Sequence, residues 1–162
     1  MSTLSVSSSS PAGATKIGQL LHQAETLFKK KKYAHARPLY HQVKNELANQ
    51  PRMGLATFIF CRCTLQIVYS HPPGTTSSIE QTLIATRELD ELYQTRDKWQ
   101  TWPLQDQIDA YRGLICNYTR FDKILDDKRA HIVFCSRVNQ CRTELQPLRA
   151  KVQAALKLNF DF

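Results

Sequence analysis

Residues Ala24–Val43 read AETLFKKKKYAHARPLYHQV, two helix-period patterns that meet across four consecutive lysines. Upstream, Ile17, Leu20, Leu21, Ala24, Leu27 and Phe28 recur at three- and four-residue spacing, with Gln19, His22, Gln23 and Glu25 opposite them. That spacing gathers one apolar stripe on a helix from Thr15 to about Lys31. Downstream, Tyr33, Ala36, Tyr40, Val43 and Leu47 make a second stripe, which ends before Asn49-Gln50-Pro51. Two amphipathic helices joined this closely fold back on each other, so the stretch predicts an antiparallel hairpin with Lys29, Lys30, Lys31 and Lys32 at its corner.

The same reading extends along the chain. Pro51 suits a helix start, where its missing N–H costs nothing, and residues 52–69 are apolar nearly all round, which predicts a third helix packed on both sides. A loop follows at residues 70–76. Ser77 and Glu80 have capping-box spacing and predict the start of a fourth helix, carrying Ile79, Leu83, Ile84, Leu89 and Leu92 and ending near Arg96. Residues 97–103 read as a loop whose Trp99 and Trp102 plug the hairpin mouth. A fifth helix is predicted from Pro103, and helical periodicity then runs almost to the end, with breaks expected at Asp126-Asp127 and at Pro147.

Five glycines and seven prolines in 162 residues are poor material for sheet turns and suit long helices with Pro-marked corners. The fold class is therefore all-α, with six or seven helices. Residues 1–14 carry no charged side chain and include six serines, which predicts a disordered leader; residues 15–162 are the length of one domain. The Ser-rich start also resembles a plastid transit peptide or a type III secretion signal, so organelle targeting or secretion stands as the alternative to a cytoplasmic location.

Charge is unevenly placed. The net charge of +8 is concentrated in residues 29–52, where seven bases face Glu46 alone, and in residues 128–157, where seven bases face Glu144 alone. Between residues 80 and 109 the sign reverses, with seven acids against three bases. Such blocks suit an acidic partner or hairpins that complement one another. The five cysteines are odd in number and follow no signal-peptide core, which predicts reduced intracellular thiols.

Leu20, Ala24, Leu27, Phe28, Tyr33, Ala36, Tyr40 and Val43 resemble the small and aromatic positions of the tetratricopeptide repeat. Ala36-Arg-Pro-Leu-Tyr40, followed by Gly54-Leu-Ala-Thr and residues 65–69, is similar to the kinesin-light-chain-like branch. The resemblance covers about residues 17–69. It implies antiparallel hairpins, at about 15–49, 52–96 and 103–145, stacked as a short solenoid that holds a peptide or helix of a partner protein. Leu21 and Glu25 stand where chaperone-tail-binding members place Lys and Asn, which argues against a carboxylate clamp.

The function this reading supports is a non-enzymatic interaction module: an adaptor, assembly subunit or chaperone-type cap. Leu21, Glu25, Phe28, Lys29, Lys30, Lys31, Lys32, Tyr69, Trp99 and Trp102 are its candidate partner-binding residues. Nucleic-acid binding through the two basic blocks is the alternative, and a secreted bacterial effector or its chaperone a third. No phosphate loop, dinucleotide fingerprint, nucleophile elbow or His-Glu-x-x-His occurs, so no catalytic residue and no cofactor is assigned. Cys61 and Cys63 point about 200° apart on a helix and cannot share an ion. His131 and Cys135 do share a helix face but lack a second pair of ligands in the sequence, so no metal is assigned. Asp122, Asp126 and Asp127 read as a helix N-terminus favouring negative charge.

Overall fold

A computed structural model describes residues 11–49 and 54–160. They form six α-helices and one 3-10 helix, and no strand occurs among them. The α-helices are α1 (Pro11–Lys29), α2 (Tyr33–Ala48), α3 (Gly54–Tyr69), α4 (Thr76–Gln94), α5 (Leu104–Leu125) and α6 (Lys128–Phe160). The 3-10 helix, Arg96–Thr101, occupies most of the segment expected to be a loop. No helix among the described residues is long and apolar enough to cross a membrane. Most of the expected leader lies outside the described residues, and α1 is described from Pro11, four residues before Thr15.

The contacts divide the chain into two compact units. One holds α1, α2, α3 from Ile59 and α4 as far as Ala85; the other holds residues 54–58, α4 from Thr86, the 3-10 helix, α5 and α6.

In the first unit α1 packs on α2. Ala24 of the first stripe and Ala36, Tyr40 and Val43 of the second are fully buried, as the two stripes predict. The corner between these helices is a Schellman turn. The Lys32 amide donates to the Leu27 carbonyl and the Lys31 amide to the Phe28 carbonyl, each at 2.9 Å, while Lys31 takes a left-handed φ of 61°. Glycine normally fills that position because an L side chain there costs roughly 1–2 kcal/mol. Lys31→Gly is therefore expected to raise stability by about 1 kcal/mol, read as a higher denaturant midpoint at unchanged m-value. Phe28 fills the inside of the corner, edge-on to Tyr33 at 5.0 Å and to Tyr40 at 6.3 Å.

Arg37 of α2 reaches the end of α3. It donates to the Ser70 hydroxyl at 2.8 Å and to the Ser70 carbonyl at 2.9 Å, placing a cation where the helix dipole is negative.

The second unit is built on the α5–α6 hairpin. Leu114, Tyr118 and Phe121 of α5 and Cys141 of α6 are fully buried, beside Leu89, Phe134 and Leu145. The turn comes where it was expected: Asp126 takes a left-handed φ of 46°, and the Asp127 carboxylate caps α6 by accepting the Ala130 amide at 2.9 Å. The break expected at Pro147 does not occur, and α6 runs through it. The proline frees only the carbonyl of Thr143, and both residues are exposed, so water can take the place of the missing donor. The expected Ser77–Glu80 box is replaced by Thr75, whose hydroxyl caps α4 by accepting the Ser78 amide at 3.2 Å.

Three acids tie these helices together by one repeated device. Glu25 of α1 accepts from Tyr40, Arg62 and Gln66, on α2 and α3. Glu144 of α6 accepts from Tyr111 at 2.7 Å, from Arg96 at 3.2 Å and from Gln140 at 2.6 Å. Asp90 of α4 accepts from Tyr118 and from Arg137, each at 2.7 Å. In each case a phenol from the core and an arginine from the rim converge on one carboxylate, so the buried hydroxyl has a partner and the charge is neutralised.

Candidate functional site

The residues singled out in the sequence fall in different places. Leu21, Glu25, Phe28, Lys29, Lys30, Lys31, Lys32 and Tyr69 belong to the first unit, Trp99 and Trp102 to the second. The four lysines are exposed on the corner, and Leu21 and Tyr69 are half-buried. Two of the candidates are engaged within their own units. Trp99 is only 2% exposed, stacked on Trp102 at 5.5 Å and edge-on to Tyr111 at 5.1 Å, so it is a core residue. The Glu25 carboxylate is fully engaged inside its own unit. Burial pushes its pKa up, but the hydrogen bonds from Tyr40, Arg62 and Gln66 and the Arg62 charge outweigh that and hold it below the usual carboxylate range.

The feature best suited to holding a partner lies elsewhere, on the second unit. Arg112, Ile115 and Cys116 of α5 recur at three- and four-residue spacing, as do Arg142, Leu145, Gln146 and Arg149 of α6. These two stripes face one open groove of about 680 Å³, with Phe58 of α3 contributing an aromatic face to its lining. The Arg112 guanidinium lies 5.6 Å from the centre of the Phe58 ring, a cation–π distance.

The groove has apolar and cationic components and no acid of its own. Phe58, Ile115 and Leu145 line it between the three guanidiniums. Arg112 meets Asp109 on its own helix at 3.6 Å, a surface pair of small worth. Arg142 and Arg149 are exposed and meet no carboxylate among the described residues. Glu144, the one acid in residues 128–157, is held by Tyr111 and Arg96 and does not line the groove.

Arg142 and Arg149 are seven residues apart, about 10 Å along the helix axis. Two carboxylates three residues apart on a polyproline-II-like peptide lie on one face and span roughly 9 Å. The sequence showed the basic block in α6, but Arg112 joins it only through the long-range pairing of α5 with α6.

The thiols divide by burial. Cys61, Cys63 and Cys141 are buried, and burial pushes the thiols of Cys63 and Cys141 up to about 12, which keeps them protonated and inert. Cys116 lines the groove and Cys135 lies half-buried beside His131. Asp122 joins that pair from α5, so the His131–Cys135 face has a third potential ligand that the sequence reading did not supply.

Comparison with protein-family models, with curated proteins and with solved structures finds no match to this chain.

Proposed function

We propose that the protein is a non-enzymatic interaction module that holds an acidic, amphipathic segment of a partner protein in the Arg112–Arg142–Arg149 groove. The observation that carries this reading is the pairing of three arginines with an apolar lining and no carboxylate in one open groove. Arginine is the residue suited to such a task, because its planar fork binds carboxylates bidentately and is weakly hydrated. The apolar lining asks for a Leu or Phe beside the acids, which separates this ligand from a small inorganic anion. The reading keeps the adaptor, assembly-subunit or cap role expected from the sequence and moves it from the lysine corner to the α5–α6 face. The tetratricopeptide-like stacking of the hairpins belongs to the same proposal and rests on the residues between 17 and 69.

Synthetic peptides test it directly. Peptides with two Asp or Glu three residues apart around a Leu or Phe are expected to bind in fluorescence anisotropy, and Lys-for-Glu controls are not. Arg142→Glu with Arg149→Glu is expected to weaken binding at least about tenfold, the loss of one charge-assisted contact of about 1.5 kcal/mol, with unchanged circular dichroism. Equal binding by the double variant would overturn the assignment. A single-stranded oligonucleotide that binds more tightly than every peptide, with a steep salt dependence, would favour the nucleic-acid alternative instead.

A further inference from the structure

A second cluster lies at the α5–α6 turn, and Arg142 of the groove also lines the cleft beside it. Asp122 comes from the last turn of α5, and His131 and Cys135 from the first two turns of α6, four residues apart on one face. Their potential ligand atoms all lie within 4.8 Å of one another. His131 Nδ1 is 2.7 Å from Asp122 Oδ2, and Cys135 Sγ is 3.7 Å from the same nitrogen.

We propose that Asp122, His131 and Cys135 form a three-ligand site for a zinc-class divalent cation, with a fourth position open to solvent. The distances suit such an ion. Two ligands at tetrahedral angles around zinc, with bonds of about 2.0 Å to nitrogen and 2.3 Å to sulfur, stand about 3.5 Å apart. Cys135 Sγ, 3.7 Å from Nδ1, is within a few tenths of an ångström of that separation, and rotation of its side chain has to bring it toward the in-plane lone pair of that nitrogen. The carboxylate and imidazole are closer, at hydrogen-bond distance, and need to open by roughly half an ångström to admit the metal between them. His131 is exposed and Asp122 and Cys135 half-buried, so side-chain rotation is free to supply that movement.

The donor set selects the metal. One thiolate, one imidazole and one carboxylate suit zinc or cobalt, whereas magnesium and calcium call for oxygen ligands throughout. Asp122, Asp126 and Asp127 line the adjoining cleft with Lys123 and Lys128, and Arg142 lines the cleft on the other side of Asp122 and Cys135. Binding deprotonates Cys135 and releases that proton to solvent while His131 binds as the neutral ring.

The alternative use of the same residues, Cys135 as a nucleophile with His131 as base and Asp122 as its orienting acid, fits less well. The sulfur is nearly equidistant from both ring nitrogens, 3.5 Å from Nε2 and 3.7 Å from Nδ1, so it lies off the in-plane lone-pair direction of Nε2. Cys135 also sits inside a helix, where neighbouring amides are committed to helical carbonyls and cannot stabilise an oxyanion. The metal reading concerns the helix turn alone and does not depend on the peptide groove.

Cobalt titration of the full chain under reducing conditions is the test. A sulfur-to-cobalt charge-transfer band in the near ultraviolet, saturating at one equivalent and bleached by zinc, is the expected result. Cys135→Ser is expected to abolish the band. His131→Ala and Asp122→Asn are each expected to weaken zinc binding at least about tenfold, the least that loss of even an outer-shell partner costs. These residues are exposed or half-buried, and a circular dichroism spectrum confirms that each variant is folded. No charge-transfer band, or a band that survives Cys135→Ser and so belongs to another cysteine, would overturn the proposal.

Discussion

Gly54→Ala is expected to destabilise the second unit by about 3 kcal/mol, near the upper end of what overpacking costs. A Cβ at this position would stand 1.9 Å from the carbonyl oxygen of Asp106 and 2.2 Å from its Cα. Both obstacles are backbone, so no side-chain rotation relieves the clash, and the first turn of α5 must move. Gly54 is the first described residue of α3 and Asp106 lies in the first turn of α5, so the two backbones approach without a side chain between them. Gly18 is the internal control. It lies within α1 with nothing within 4 Å of an added Cβ, and Gly18→Ala is expected to stabilise by about 0.5–1 kcal/mol through helix propensity. The check is urea unfolding of both variants beside the wild-type chain. A Gly54→Ala midpoint equal to wild type would show that α3 and α5 do not approach this closely.

Local periodicity carried the architecture. The hairpin of α1 and α2, the break at Asp126-Asp127 and the helical class all follow from three- and four-residue spacing, because an apolar stripe fixes which face is buried whatever it packs against. Local rules failed where exposure or pairing decides the outcome. Pro147 does not end α6, since the carbonyl it frees faces solvent. Lys31 holds a left-handed turn usually given to glycine, and the sequence offers no glycine there to announce it. Trp99, expected to plug a hairpin mouth from a loop, is buried but carried by a 3-10 helix. The Arg112–Arg142–Arg149 groove depends on the register between α5 and α6, which composition does not encode. The Asp122–His131 contact, by contrast, was within reach. The two residues lie equally far on either side of the Asp126-Asp127 turn, and an antiparallel hairpin sets such positions opposite each other.

Glu25→Gln distinguishes the structural role of that residue from the contact role expected from its place on the first helix. The carboxylate accepts hydrogen bonds from Tyr40 on α2 and from Arg62 and Gln66 on α3, so it links three helices through one side chain. Hydrogen bonds to a charged group are worth about 1.5–3 kcal/mol, and Arg62 is half exposed, so a loss of about 2 kcal/mol is expected. The sign of the pH dependence follows from the lowered pKa. In the unfolded chain a glutamate titrates near about 4.3, and the folded chain holds this one ionised to lower pH. Its contribution is therefore present above the unfolded value and is lost as pH falls through the folded one. The stability gap between wild type and Glu25→Gln is expected to be constant near neutrality and to close in acid. A double-mutant cycle with Tyr40→Phe should show coupling of about 1 kcal/mol, since the two groups share one hydrogen bond. A variant of unchanged stability at neutral pH that nevertheless lost partner binding would return Glu25 to the binding surface and leave Tyr40 without its structural acceptor.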